Sequence, residues 1–194
     1  MIGNGESRTP VNIDQLKQNY ITVGCNAIHR DVSVDHLICC DQRMVREAIL
    51  NPANTRIYTR SDWYKSFQKF PNVLELPSLP YTGNTRADEP FHWGSGPYAV
   101  LLAAQLSDTV SLIGFDLVGN GQFVNNIYKG TQNYSSTDSH AVDPSYWVYQ
   151  ISKVFELFPD KYFIIYNKED WAMPDSWKLG NVGFKNIDLL KDFL

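Results

Sequence analysis

The feature that most constrains the fold is a regular alternation of two kinds of segment along the chain. Short apolar runs rich in β-branched residues, such as 109–114, alternate with segments whose apolar residues recur at helical spacing, such as 96–106. Several runs are almost continuously apolar, which is typical of strands covered on both faces. The alternation itself is typical of α/β proteins with parallel sheets. The sequence therefore predicts a three-layer, Rossmann-like α/β fold with a mainly parallel sheet.

Individual elements follow from this pattern. Apolar side chains at Val100, Leu101 and Ala104 give the segment 96–106 a stripe wide enough to lie on a sheet. Residues 77–93 and 119–143 are rich in Pro, Gly, Asn, Ser or Thr and are predicted to be long loops, which often carry function. We predict strands at residues 1–3, 20–24, 36–40, 56–59, 73–76, 109–114 and 162–166. We predict helices at residues 13–18, 43–50, 61–69, 96–106, 144–158 and 187–193.

Length and composition limit the class of protein. The 194 residues fit a single domain over 1–194, in which 171–194 form a C-terminal extension. No apolar run reaches the ~18 residues of a membrane helix, and the first residues do not resemble a secretory signal. The net charge of -4 argues against nucleic-acid binding. We therefore expect a cytoplasmic protein without a membrane span, with homo-oligomerisation left open.

The cysteines and histidines indicate neither a disulfide framework nor a metal site. Cys39 and Cys40 are adjacent in an apolar run, and Cys25 is the third cysteine. An odd number in such a setting is typical of reduced core thiols. No spacing matches a zinc site or a C-x-x-C motif. We predict no structural metal.

A glycine-rich loop directly follows the first predicted strand. It reads Gly3-Asn4-Gly5-Glu6-Ser7 and precedes a predicted helix. Glycines allow the backbone to turn sharply and approach a ligand, and exposed N–H groups with a following hydroxyl can hold a phosphate. The spacing is neither the dinucleotide fingerprint nor a P-loop. The loop is therefore either a phosphate-binding loop or a tight turn without a ligand.

Other polar residues are predicted at the same edge of the sheet. Asn26 follows the second strand, Ser95 and Gly96 open the central helix, and Asp116 follows the strand at 109–114. Because open α/β sheets bind ligands at the carboxyl ends of their strands, we expect these residues to line one crevice. For Ser95 the alternative is a helix N-cap. Asp41 is predicted to cap the following helix, with contact to a ribose hydroxyl as the alternative.

Four motifs occur in a defined order, namely Gly3-Asn4-Gly5-x-Ser7, Gly24-Cys25-Asn26, Ser95-Gly96 and Ile113-Gly114-Phe115-Asp116. Their order resembles the nucleotide-binding core of bacterial CMP-sialic-acid-dependent sialyltransferases. It is also similar to that of the related motility-accessory (flagellin glycosylation) proteins and of archaeal-type 6-hydroxymethylpterin diphosphokinases, which share a Rossmann-like domain. The resemblance covers residues 1–26 and 90–145.

The resemblance implies a glycosyltransferase-like transferase that binds a nucleotide-activated sugar, with a CMP-sugar favoured. Asn4 and Ser7 then contact the phosphate or ribose, and Asn26 contacts the same ligand. The Ser95-Gly96 pair lies near the base and Asp116 near the ribose. The full set of implied nucleotide-binding residues is Gly3, Asn4, Gly5, Ser7, Asn26, Ser95, Gly96 and Asp116.

The resemblance also implies a catalytic base. In these sialyltransferases a histidine in a polar segment after the Gly-x-Asp strand deprotonates the acceptor, and His140 lies in a comparable place. A histidine with a pKa near ~6.5 suits this task at neutral pH; the alternative is an exposed loop histidine. In place of the family's tyrosines that stabilise the leaving phosphate, this chain has Leu117, Val118, Phe123 and Val124. Tyr128 and Tyr134 substitute for them if the loop folds back.

Three functions are open at this point. The leading one is a transferase that uses a small-molecule nucleotide sugar, needs no cofactor and acts on an unidentified acceptor. The second is a non-catalytic nucleotide-binding or assembly module. The third is a pterin-type diphosphokinase, which alone would require Mg²⁺. The chain contains no Asp-x-Asp pair of the kind that holds a divalent ion in metal-dependent glycosyltransferases.

Overall fold

The computed structural model of the protein describes residues 1–51, 55–79, 93–119 and 121–190. Strands and helices alternate along these residues, with short 3₁₀ turns at Glu6–Arg8, Asn26–Arg30, Asp175–Trp177 and Ile187–Leu190. The strands and α-helices are, in chain order, α1 (Ile13–Asn19), β1 (Val23–Cys25), β2 (His36–Ile38), α2 (Gln42–Ala48), β3 (Arg56–Thr59), α3 (Ser61–Phe67), β4 (Val73–Glu75), α4 (Ser95–Leu106), β5 (Thr109–Ile113), α5 (Ser145–Leu157), β6 (Tyr162–Asn167) and β7 (Val182–Asn186).

All strand pairs among the described residues are parallel. One sheet has the order β1-β2-β3-β4 and the other the order β5-β6-β7. The first residues of the chain lie between them, where Ile2 bridges both Gly24 and Ile113. The Ile2 amide donates to the Val23 carbonyl at 2.8 Å, and the Gly3 amide donates to the Ile113 carbonyl at 2.8 Å. This segment therefore links the two sheets.

Two hydrophobic cores cover the two faces of the sheets. One contains buried residues of α4 and α5, and the other contains buried residues of α1, α2 and α3. Side chains of β5 alternate between them: Leu112 belongs to the α4/α5 core, and Ile113 to the opposite core. Helices on both faces of a parallel sheet form three layers. The predicted three-layer Rossmann-like α/β fold in a single domain is confirmed.

Helix α4 is the central element of one face. Its residues from Pro97 to Ala104 are all buried, and it contacts β1, β2, β5 and α5. A helix that is apolar on all sides needs neighbours all round. The small residues Ala99, Ala103 and Ala104 within it leave room for close packing against those neighbours.

Two predicted elements differ from the structure. The strand predicted at 1–3 is reduced to the bridge at Ile2, because the backbone leaves the sheet at once into the glycine loop. For the extension 171–194 the sequence predicts only a helix at 187–193, but Ile187–Leu190 form a 3₁₀ turn and the extension contributes β7 at the sheet edge. Strand β7 has no clear alternation of burial, which explains why its pattern is weak. Residues 80–92 and 191–193 of predicted elements lie outside the described residues.

Several local predictions are confirmed. The Asp41 carboxylate accepts a hydrogen bond from the Arg43 amide at 2.8 Å and caps α2. Cys25 and Cys39 are buried free thiols, and Cys40 is a partly buried one. No helix in the described part of the chain combines the length and apolar character that crossing a bilayer requires.

Gly3 is a position where only glycine fits the link between the sheets. A β carbon on Gly3 would overlap the carbonyl oxygen of Gly114, whereas one on Gly180 would have no atom within 4 Å. We expect Gly3→Ala to lower the free energy of unfolding by about 1–3 kcal/mol, measured by urea denaturation. The matched control Gly180→Ala should change it by less than about 0.5 kcal/mol. Equal effects of the two substitutions would contradict this account of the link.

Candidate functional site

A cavity of about 300 Å³ opens at the carboxyl ends of the central strands. The segment at Ile2 lies between β1 and β5. From β1 the chain builds one side of the sheet outward through β2, β3 and β4, and it then returns to build the other side from β5. Such a change of direction leaves a crevice that open α/β sheets use for ligands. Seven of the predicted site residues line this cavity, namely Gly3, Asn4, Gly5, Asn26, Ser95, Gly96 and Asp116.

Asn4 lines the cavity and is buried. Its Nδ2 donates to the Cys25 carbonyl at 3.1 Å and to the Tyr134 hydroxyl at 3.2 Å. Its Oδ1 is buried and has no hydrogen-bond partner among the described residues. A buried acceptor without a partner is costly unless a ligand or a water supplies a donor. The side chain therefore offers a fixed acceptor at the cavity.

Ser95 and Asn26 form a second fixed group. The Ser95 hydroxyl donates to Asn26 Oδ1 at 2.8 Å and accepts from the Cys40 amide at 3.0 Å. Asn26 adopts a left-handed backbone with φ of 52°, which asparagine tolerates better than most residues. Ser95 is the first residue of α4, and the N-cap position is Gly94. Ser95 therefore orients Asn26 and is not the N-cap that was the alternative for it.

Asp116 is held by the loop after Ile2. Its carboxylate accepts hydrogen bonds from the Ser7 amide at 2.9 Å and from the Ser7 hydroxyl. A β carbon on Gly5 would overlap this carboxylate, so a larger residue there would displace it from its present position. Ser7 is buried and lies outside the residues that line the cavity. The structure thus places Ser7 behind Asp116, as its hydrogen-bond donor.

His140 is not among the residues that line the cavity, although Ala141 and Val142 are. It forms an antiparallel bridge with Phe123, and the two rings stack with centroids 6.3 Å apart. In extended backbone, neighbouring side chains point to opposite sides. The structure therefore brings the segment that contains His140 to the cavity but does not bring its imidazole there.

Tyr128 and Tyr134 fold back onto the domain but do not line the cavity. The Tyr134 hydroxyl accepts from Asn4 Nδ2, and the Tyr128 hydroxyl donates to Asp31 at 2.6 Å and accepts from Arg8 at 3.0 Å. Burial raises the pKa of both phenols, so both hydroxyls stay protonated. Tyr134 therefore contacts Asn4 of the cavity lining, whereas Tyr128 joins its loop to Arg8 and Asp31.

The segment 121–134, which we call the strap, is fastened to the glycine loop. The Glu6 amide donates to Asn125 Oδ1 at 2.8 Å, and the Ile127 amide donates to the Asn4 carbonyl at 3.0 Å. Glu6 also pairs with Lys129 and does not line the cavity. The Glu6 carboxylate is therefore turned toward the strap and away from the cavity.

A second set of hydrogen bonds, made by Arg30, connects the strap to α2. Arg30 forms a bidentate ion pair with Glu47 and also donates to the Thr131 hydroxyl at 2.8 Å and the Gln132 carbonyl at 2.8 Å. The hydrogen bonds from Arg30 lower the pKa of Glu47, which keeps the carboxylate ionised. Sequence reasoning did not find the strap's role, because its contacts join residues about a hundred positions apart.

The cavity has little formal charge. Among the described residues that line it, none is Lys, Arg or His. Burial raises the pKa of the Cys25 thiol to about 12, so it is neutral at physiological pH. The remaining polar groups are amides, the Ser95 hydroxyl, the Trp147 indole N–H and the Asp116 carboxylate. Asn125 and Asn126 also line the cavity and were missed by sequence reasoning, since nothing in a loop sequence shows which side chains return to the site.

The described residues contain no group of three or more His, Cys, Asp or Glu side chains that could hold a metal ion. Comparison of the chain with protein-family models, with curated proteins and with solved structures gave no match. The resemblance to sialyltransferases therefore remains a hypothesis that depends on the motifs alone.

The hydrogen bonds between Ser7 and Asp116 make a testable contribution to stability. In Ser7→Ala the carboxylate loses its hydroxyl donor but keeps the amide donor. Because a hydrogen bond to a buried charged group contributes about 1.5–3 kcal/mol, we expect a loss of this size in the free energy of unfolding, measured by urea denaturation. The exposed Ser176 is the control, and Ser176→Ala should change stability by less than about 0.5 kcal/mol. A neutral Ser7→Ala would show that the pair does not hold Asp116.

Proposed function

We propose that this protein binds a nucleotide, or a nucleotide-activated sugar of the CMP type, in the cavity at the carboxyl ends of its central strands. One observation carries the proposal: Asn4, Asn26, Asp116 and the first turn of α4 converge on a single cavity at the point where the chain changes direction. Each of these groups is oriented by the protein before any ligand arrives. The volume of the cavity, about 300 Å³, suits a small polar ligand.

The polar groups favour a ligand that carries both hydroxyls and acceptors. The unpartnered Asn4 Oδ1 suits a ribose hydroxyl, because a phosphate oxygen would be repelled by this acceptor. The Asp116 carboxylate has acceptor capacity beyond the two hydrogen bonds from Ser7 and suits a second hydroxyl. The indole of Trp147 offers an apolar surface for a ring of the ligand.

Transfer of the sugar would then occur at the mouth of the cavity. The acceptor oxygen attacks the anomeric carbon, the bond from that carbon to the phosphate oxygen breaks, and the acceptor's proton passes to a base. His140 is the proposed base, and the support for it is the resemblance together with its place beside Ala141, which lines the cavity. For this role its ring must leave the stack with Phe123.

A second candidate function is nucleotide binding without catalysis. It is favoured by the lining itself, since the described lining residues include no histidine and burial keeps the Cys25 thiol protonated. In this alternative the cavity recognises the ligand, and the protein acts as a binding or assembly module.

Nucleotide binding should raise the melting temperature. At 100 times its Kd, CMP stabilises the folded protein by about 2.7 kcal/mol, which corresponds to about 5–10 °C for a domain of this size. In Ser95→Ala the shift should be smaller because Asn26 loses its hydroxyl donor. Ser107→Ala, at the other end of α4, should keep the full shift. The absence of any shift with CMP, UMP, AMP or GMP at millimolar concentration would overturn the proposal.

His140→Ala separates transfer from binding. If His140 is the base, hydrolysis or transfer of a CMP-sugar should fall by about 10²–10⁴-fold, while the Kd for CMP stays within about twofold. Ser139→Ala is the matched neighbour, and its turnover should be unchanged. CMP binding without turnover in the unmodified protein would support the second candidate, and full turnover in His140→Ala would remove this histidine from the reaction.

A further inference from the structure

Three asparagines at the cavity have their amide oxygens occupied by protein donors. Asn125 Oδ1 accepts from the Glu6 amide at 2.8 Å, and Asn126 Oδ1 accepts from the Tyr128 amide at 2.9 Å. Asn26 Oδ1 accepts from the Ser95 hydroxyl at 2.8 Å. All three residues line the cavity. An amide whose oxygen is fixed in this way has a fixed orientation, with its NH₂ group as the remaining hydrogen-bonding group.

The NH₂ groups of Asn125 and Asn126 are available to a ligand. Neither donates a hydrogen bond to the described part of the protein, and neither nitrogen is among the buried atoms that lack a partner. Both side chains are partly exposed. The two NH₂ groups are therefore accessible donors on residues that line the cavity.

The backbone around these asparagines is held in place. The Ile127 amide donates to the Asn4 carbonyl at 3.0 Å, and Lys129 pairs with Glu6. The donors of the strap are thus fastened beside the glycine loop without any ligand. Such preorganisation reduces the conformational entropy that the protein loses when it binds a ligand.

The side-chain donors of Asn125 and Asn126 suit an anion. Hydrogen bonds from neutral donors to an anion are about twice as strong as those between neutral groups. The first turn of α4, which begins at Ser95, adds further backbone donors and the positive end of the helix dipole. The described lining residues include no Lys, Arg or His. An anion in the cavity would therefore be bound by neutral hydrogen-bond donors.

We propose that Asn125 and Asn126 bind the phosphate of the nucleotide through their side-chain amides, while the Asn4 acceptor suits a ribose hydroxyl. This assignment deepens the proposed function and rests on it. It makes the strap a specificity element, which distinguishes a nucleotide from the corresponding nucleoside. Because the donors are neutral, phosphate binding here does not require a basic side chain.

The test uses isosteric substitutions that keep each oxygen and remove each donor. In Asn125→Asp and Asn126→Asp one carboxylate oxygen can still accept from Glu6 or Tyr128, while the other oxygen repels a phosphate. Calorimetry with CMP and with cytidine should show that each variant loses about 10- to 100-fold in affinity for CMP. Affinity for cytidine should stay within about twofold.

Asn12→Asp is the matched control. Asn12 is exposed, lies outside the lining of the cavity and caps α1 through the same kind of bond, from the Gln15 amide to its Oδ1. It adds the same charge and keeps the cap, so its CMP affinity should equal that of the unmodified protein. Urea denaturation of all variants shows whether each one is folded under the conditions of the titration.

The outcomes separate this assignment from the proposed function. Equal affinity of the unmodified protein for CMP and cytidine, or an unchanged ratio in both variants, would overturn the phosphate assignment and leave nucleotide binding intact. A second arm measures the melting temperature in inorganic phosphate against chloride at equal ionic strength. Stabilisation by phosphate that both variants lose, without binding of any nucleotide, would keep the anion site and overturn the nucleotide function. No response to phosphate or to any nucleotide would overturn both.

Discussion

The insertion of the first residues between β1 and β5 is the interaction on which the site depends. The backbone at Ile2 and Gly3 hydrogen-bonds to strands on both sides, so the two parallel sheets are joined there by a very short segment. Gly3 and Gly114 must lie in backbone contact for this to happen, which excludes a β carbon at either position. Because only one residue of the segment, Ile2, bridges the neighbouring strands, the chain turns out of the sheet at once and brings the glycine loop to the carboxyl edge.

The rest of the site is built outward from that loop. Asp116 approaches Gly5 closely and is held by Ser7, which fixes the end of β5 relative to the loop. The Asn4 carbonyl and the Glu6 amide bind the strap, so a segment more than a hundred residues later becomes one wall of the cavity. Each of these contacts satisfies a backbone or carboxylate group that would otherwise be costly to bury. The same bonds that stabilise the loop therefore orient the polar groups of the cavity.

Hydrogen-bond direction gives the cavity its chemical character. Asn4 has its nitrogen engaged and its oxygen free, whereas Asn125 and Asn126 have their oxygens engaged and their nitrogens free. Identical side chains thus present an acceptor at one place and donors at another. This division, in a cavity whose described lining contains no cationic side chain, is the basis for the proposed ligand with both hydroxyls and an anion.

What the sequence by itself determined is the periodic part of the protein. The apolar runs, the stripe of α4 and the polar residues at strand ends specified a three-layer α/β fold and placed seven of the predicted site residues on one cavity, because strand ends in a parallel sheet meet at one edge. Only the tertiary structure decided that Ser7 lies behind Asp116, that the His140 ring stacks on Phe123, and that β7 completes the sheet edge. It also decided that Asn125 and Asn126 reach the cavity. These features depend on contacts between residues far apart in the chain, which no local pattern of hydrophobicity or turn chemistry encodes.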